Sequence, residues 1–265
     1  MASWPDSVKT FTTLADGVDD VLAAHPNERG DEITAIQTWL ASRTVMEGLK
    51  LIWNSATSLS VGTGHCFAED GSYINVTSVL TASGLSLTAT MWYHVYVYLS
   101  GGSPAMEVVT TAPTAWKGTA YSKTGATSRR YVGSVKTDGS GNVYNFFMQG
   151  NFIHYRANLR ATPFRVLSSG TATTETSVAC SFIVPVTSRL ATLRSANSDG
   201  SITFVTGTSD DGITLSSSVN IHAFGPGSQV VVPMLLDSSQ AFTYMYASSP
   251  SGSAFMDVHG YQFER

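Results

Sequence analysis

Charge is what this chain has least of. Of its 265 residues, 13% are charged, against about a quarter in an ordinary soluble domain, and the formal net charge is −4. That balance offers no basic field to neutralise a phosphate backbone, so no nucleic-acid partner is expected. No segment approaches the roughly 18 consecutive apolar residues of a membrane span, so no membrane insertion is expected either. The opening Met1 to Lys9 lacks the basic-then-apolar order of a secretory signal. Cysteine is nearly absent, with only Cys66 and Cys180. A pair so far apart is not a disulfide framework; the expectation is two buried thiols, with a bridge between the two halves as the alternative. Neither their spacing nor their neighbours suggest a metal site, and no cofactor is expected.

The motifs of the common enzyme classes are missing as well. There is no Gly-x-Ser-x-Gly elbow, Ser-x-x-Lys, His-Glu-x-x-His, phosphate loop or dinucleotide fingerprint. The six histidines stand singly, as packed residues of strands do. The acids that a glycan-cleaving enzyme would need are Glu69, Asp70, Glu107, Asp199, Asp210 and Asp211. Most of them sit beside glycine in turns, where an Asp side chain stabilises its own backbone. Asn197 to Gly200 and Ser209 to Gly212 faintly suggest calcium loops but lack the ligand count. Arg129 and Arg130 are successive strand residues, so one must point inward, toward a buried carboxylate such as Glu107. The chain is therefore expected not to be an enzyme.

What is present is enough apolar residue for real cores, 43% of the chain, arranged almost entirely in strand patterns. The expected fold is mainly β: an extended arm over residues 1–25, a short amphipathic helix over 26–45, a first β domain over 46–157 and a C-terminal β-sandwich or jelly-roll-like domain over 158–265. Pro26 suits a first helical turn, Glu28, Asp31 and Glu32 sit at the positive end of the dipole, and Arg43 lies near the negative end. Ile33, Ile36 and Leu40, with Trp39 beside them, keep coiled-coil spacing. So short a helix is marginal alone. Its narrow stripe favours bundling with identical helices over docking on the β body.

In the first β domain, Ser58 to Phe67 and Tyr73 to Val76 form a hairpin around Asp70 and Gly71. Trp92 to Leu99 is the strongest strand. Its odd positions make a core face, and Trp92, His94, Tyr96 and Tyr98 make an aromatic opposite face. Further strands are Ala105 to Thr110, Arg130 to Lys136 and Asn142 to Tyr155. The second domain reads as Ser177 to Val184, Ser201 to Thr206, Gly212 to Val219, Gln229 to Leu236, Ala241 to Ala247 and Ala254 to Phe263.

Three stretches carry a family resemblance. Phe11 to His25 followed by Asp31 to Gln37 resembles the N-terminal segment of many tailed-bacteriophage virion proteins, an Asp-Gly-Val leader before a short Ala-Ile-Gln helix. Trp92 to Tyr98, Pro104 to Val109 and Gly125 to Ser134 resemble a β domain of phage tail fibres and related appendages. Val258 to Arg265 is similar to the ends of trimeric phage head or fibre domains. The resemblance implies a virion structural protein, made in the host cytoplasm and assembled as a homotrimer. It would be a tail fibre or appendage, or alternatively a capsid fibre or decoration protein. Its arm would contact other virion proteins, and its β domains would meet a host-surface glycan. The competing classes are a glycan depolymerase and a free carbohydrate-binding module. For sugar contact, Trp116 in the loop Ala112 to Gly118 and the nearby Tyr121 are the candidates, because aromatic rings stack on pyranose faces.

Overall fold

The computed structural model describes residues 45–212 and 214–265, together with Asp31. The arm and the seam residues Ile33, Ile36, Trp39 and Leu40 lie outside the described residues. The described chain is mainly β, folded into several antiparallel sheets.

Six short strands come first: β1 (Met46–Gly48), β2 (Leu51–Ser55), β3 (Ser58–Val61), β4 (Gly64–Phe67), β5 (Tyr73–Val76) and β6 (Leu80–Ala82). They form two three-stranded sheets, β1-β4-β5 and β2-β3-β6. The expected run Ser58 to Phe67 is thus two strands, broken at Gly62 and Thr63. The expected hairpin is β4 with β5, in the register Phe67 to Tyr73, and Asp70 accepts the Ser72 N–H at its turn. Gly48 and Gly64 face each other where β1 crosses β4. A Cβ on Gly48 would lie 2.3 Å from the Thr63 carbonyl oxygen and one on Gly64 2.1 Å from that of Glu47, so only glycine lets the backbones approach this closely.

Next come β7 (Trp92–Ser100), β8 (Ser103–Val109), β9 (Pro113–Lys117), β10 (Ala120–Lys123) and β11 (Ala126–Lys136), a five-stranded sheet in the order β8-β7-β11-β10-β9. Both faces of β7 are covered from Tyr93 to Val97, while Leu99 is 36% exposed, so the core face stops one residue pair early. Tyr131 of β11, fully buried, meets Tyr96, Tyr121 and Phe263 edge to face at 5.9, 5.9 and 6.0 Å between centroids. Each such contact adds about 0.5–1.5 kcal/mol beyond the burial itself. Beneath them runs a buried polar chain. His94 Nδ1 lies 2.7 Å from Ser134 Oγ, which lies 2.7 Å from Tyr131 Oη, which lies 2.8 Å from Thr187 Oγ1.

The remaining strands are β12 (Phe146–Gln149), β13 (Phe152–Tyr155), β14 (Arg165–Gly170), β15 (Thr176–Ala179), β16 (Ser188–Asn197), β17 (Phe204–Gly207), β18 (His222–Phe224), β19 (Gln229–Leu235), β20 (Ala241–Tyr246) and β21 (Ala254–Phe263). One sheet runs β12-β13-β21-β16-β19 with β14 also paired to β21, and another runs β15-β20-β17-β18. The expected strand Asn142 to Tyr155 is a hairpin instead, reversed by Gly150 and Asn151 with Gln149 opposite Phe152. Of the expected strand Gly212 to Val219, the described residues 212 and 214–219 form none: Ser216 and Val219 bond each other's backbones, and Ser216 Oγ accepts the Val219 N–H. The serine side chain offers the backbone a local partner that competes with a ladder.

The expected boundary between 157 and 158 runs through the largest sheet, since β13, itself paired with β12, hydrogen-bonds to β21 on the other side. Across the same boundary, Tyr261 Oη donates to the Ser134 carbonyl at 2.9 Å and Tyr155 Oη to that of Ile183 at 2.9 Å. A single cluster of buried apolar side chains extends from Leu49 to Phe263.

Candidate functional site

Strand β12 explains the site. Side chains alternate between faces along a strand, so Phe146 is buried while Phe147 turns outward and is 39% exposed. On β13, Phe147's direct cross-strand partner is His154. Phe152 and Arg156, two residues to either side of His154, take the same face. The result is a column of stacked groups. The Arg156 guanidinium lies 5.0 Å over the Phe147 ring, which stacks on His154 at 4.5 Å and 7°, with Phe152 a further 4.3 Å from His154. Burial lowers the pKa of His154 from its ordinary value, which favours the neutral ring.

Beside this column β2 supplies the second wall of an open groove of about 510 Å³. Leu51 N–H points at the Met148 sulfur at 3.1 Å, holding the walls together, and Trp53 Nε1 donates to the Val143 carbonyl at 3.1 Å. Ile52 is 40% exposed at the rim, and Lys50 lines the same groove. The groove lining combines the apolar side chains of Ile52, Trp53 and Phe147 with the cations Lys50 and Arg156, which suits a ligand with C–H edges and hydroxyl or anionic substituents.

The sequence-derived candidates lie elsewhere. Trp116, in β9, is partly buried. Its ring centroid lies 5.9 Å from the Arg130 guanidinium, and its Nε1 is buried with no hydrogen-bond partner among the described residues. Tyr121, in β10, packs on Tyr131 and donates from Oη to Glu264 at 3.2 Å. Burial, with Glu264 beside it, pushes its pKa up. Arg130 and Tyr131 are successive residues of β11, so Trp116 and Tyr121 sit over opposite faces of that sheet and do not form one surface. Of the arginine pair, Arg130 is the fully buried one. Glu107, however, binds the partly exposed Arg129 at 3.3 Å and Lys123 at 3.1 Å, which corrects the expected inward pairing.

The candidate acids each have structural partners. Glu69 accepts from Ser122 Oγ, and Asp210 pairs with Arg189. Asp211 accepts the Thr208 N–H in a capping box. Asp199 is buried. It accepts the N–H groups of Gly252, Ser201, Ile202 and Ser251 and the Ser251 hydroxyl, which hold its pKa well below the carboxylate range. That donor set occupies the oxygens a calcium ion would need. Among the described residues no group of three His, Cys, Asp or Glu side chains could hold a metal.

The groove residues were not singled out from sequence. The usable signal was the alternation Phe147, Gln149, Phe152, His154, Arg156 around Gly150 and Asn151, a dipeptide that favours a tight turn. Comparison with known proteins returns no relative: no family model matches the chain, and no curated protein or solved structure matches it.

Proposed function

We propose that this chain is a structural protein of a tailed-bacteriophage particle, a tail fibre or appendage that displays a β-rich, glycan-recognising body. In this reading residues 1–25 dock into the particle, and the helix over 26–45 gathers three copies along Ile33, Ile36, Trp39 and Leu40. The β-rich body over 46–265 projects outward. Three sites on one head act at high effective concentration, so weak single-site affinity suffices for adhesion. The observation that carries the recognition part is the open groove lined by Phe147, Ile52, Trp53, Lys50 and Arg156. The leader, helix and β-strand resemblances support the particle part.

Two measurements test it. Sedimentation velocity at micromolar concentration should give a trimer that Ile36→Asp converts to monomer, because three like charges in one seam are costly to bury. A monomeric wild-type protein overturns the assembly. On an array of bacterial surface polysaccharides, wild type should bind and Phe147→Ala should lose binding at unchanged melting temperature. Binding that survives the substitution moves recognition away from the groove, and release of oligosaccharide from the array would replace the display role by a depolymerase.

A further inference from the structure

Away from that groove, three of the chain's few cationic residues converge on one small concavity. Arg160, Arg165 and Arg194, with Gln229 and Phe255, line a pocket of about 280 Å³. The chain holds 15 Lys and Arg residues and is negative overall, so this is a local inversion of its field. Neighbouring guanidinium groups repel unless something fixes them, and here it is Asp257. Its side chain has no exposure, and it accepts from Arg165 Nε at 2.7 Å, from Arg165 Nη2 at 3.2 Å and from Arg194 Nη1 at 2.9 Å. Asp257 is not part of the lining. The carboxylate therefore lies behind the arginines and orients them without blocking the opening.

These bonds leave donors over. Arg165 Nη1 and Arg194 Nε take no part in the contacts to Asp257, and Arg194 is further steered by Gln229 Oε1, which accepts from its Nη2 at 2.6 Å. Arg165 lies 5.1 Å over the Phe255 ring, which limits its swing. Arg160 is exposed at the rim, and the only ion pairs that these three arginines form among the described residues are the two to Asp257. Three guanidinium groups against one carboxylate leave the pocket with an excess of positive charge, presented by planar forks that match a carboxylate, sulfate or phosphate.

We infer that the pocket between Arg160, Arg165 and Arg194 binds the oxyanion substituent of an acidic sugar, the guanidinium groups holding the anion and Gln229 and Phe255 flanking the ring. The inference stands apart from the display role and from the Phe147 groove, and it concerns different residues.

The test is calorimetric titration of the full chain with trigalacturonate, with a sulfated disaccharide, with inorganic sulfate and with neutral maltotriose. Saturable binding of at least one of the anionic probes and none of maltotriose is expected. Arg160→Ala should weaken binding about tenfold or more, since charge-assisted bonds are the strong ones, with an unchanged melting temperature because Arg160 is exposed. Arg160→Lys should recover part of it, and raising salt should weaken all of it. The better of the two sugar probes identifies the substituent. Sulfate binding as tightly as the sugars supports the anion site and removes the role of Gln229 and Phe255. Failure of all three anionic probes, or anion binding indifferent to Arg160→Ala, overturns the inference. Phe147→Ala should leave these titrations unchanged, which separates this result from that of the groove.

Discussion

Replacing Asp257 by Asn separates two consequences of one buried carboxylate. It has no exposure and pairs with both Arg165 and Arg194, whose side chains are 23% and 15% exposed. Breaking a buried pair by removing one partner costs about 3–5 kcal/mol. Here the stranded guanidinium groups keep some water, so about 2–3 kcal/mol is the reasoned cost. With an unfolding entropy of about 2 cal/mol/K per residue, a chain of this length should melt about 5 °C lower. The same substitution deletes the negative charge behind the anion pocket, so affinity for sulfate should rise several-fold. A ligand that binds only the folded state stabilises it by mass action. Scanning calorimetry of wild type and Asp257→Asn, in chloride and in sulfate at matched ionic strength, reads both effects. Sulfate should raise the melting temperature of the variant by more than it raises that of wild type. Equal melting of the two proteins in chloride would refute the ion-pair argument. A lower melting point with no extra sulfate rescue would refute the claim that the arginines stay poised around an anion site.

Three further predictions rest on buried groups. His94 is buried and its pKa is pushed down to about 4 from 6.5. Its neutral form is therefore the folded one, and below pH 6.5 the unfolded chain binds the extra proton. Its contribution is complete above pH 6.5 and is lost as pH falls toward 4, by about 3 kcal/mol; an NMR titration should show its ring unprotonated at pH 5.5, and protonation near pH 6.5 would contradict the buried network. Cys66 and Cys180 are buried free thiols with pKa values pushed up to about 12 by burial, so both should resist a disulfide reagent at pH 8 in the folded protein and react at once in denaturant; rapid labelling of either in the folded state would contradict its burial. Gly133→Ala would set a methyl 2.6 Å from Leu51 Cδ1 and 2.9 Å from Phe263 Cζ, and overpacking there should cost about 1–3 kcal/mol in urea unfolding. No measurable loss would mean that β11, β2 and β21 are not held together at this point.

Elements whose local pattern matches their burial were legible in the sequence. Trp92 to Leu99 alternates bulky groups over both faces and is a central strand, and Asp70 with Gly71 marks the turn that β4 and β5 share. Strand β16, central in its sheet, went unseen because its inward positions are Ala191, Leu193, Ser195 and Asn197. The amide of Asn197 is admitted there because its neighbours satisfy it: it donates to the carbonyls of Ile202, Phe224 and Gly225 and accepts from Tyr246. Hydrophobic periodicity cannot register a core position filled by an amide whose partners come from other strands.

The same limit governs the sites. The Phe147 groove joins Lys50 and Ile52 to Phe147 and Arg156, segments almost a hundred residues apart that meet only because β12 packs against β2. The arginine pocket joins the turn at Arg160 to β14 and β16, which pair with β21 on its two edges. In sequence Arg160 falls at the expected domain boundary, and Arg194 in a segment where no strand is expected. Only the antiparallel pairing of β21 with both neighbours, Asp257 opposite Arg165 on one side and Arg194 on the other, makes them one cluster. A cross-strand register that sets one carboxylate between two arginines is itself worth stability. The surplus cation at the rim, Arg160, is not needed for that, and Arg160 is accordingly the residue whose removal separates recognition from folding.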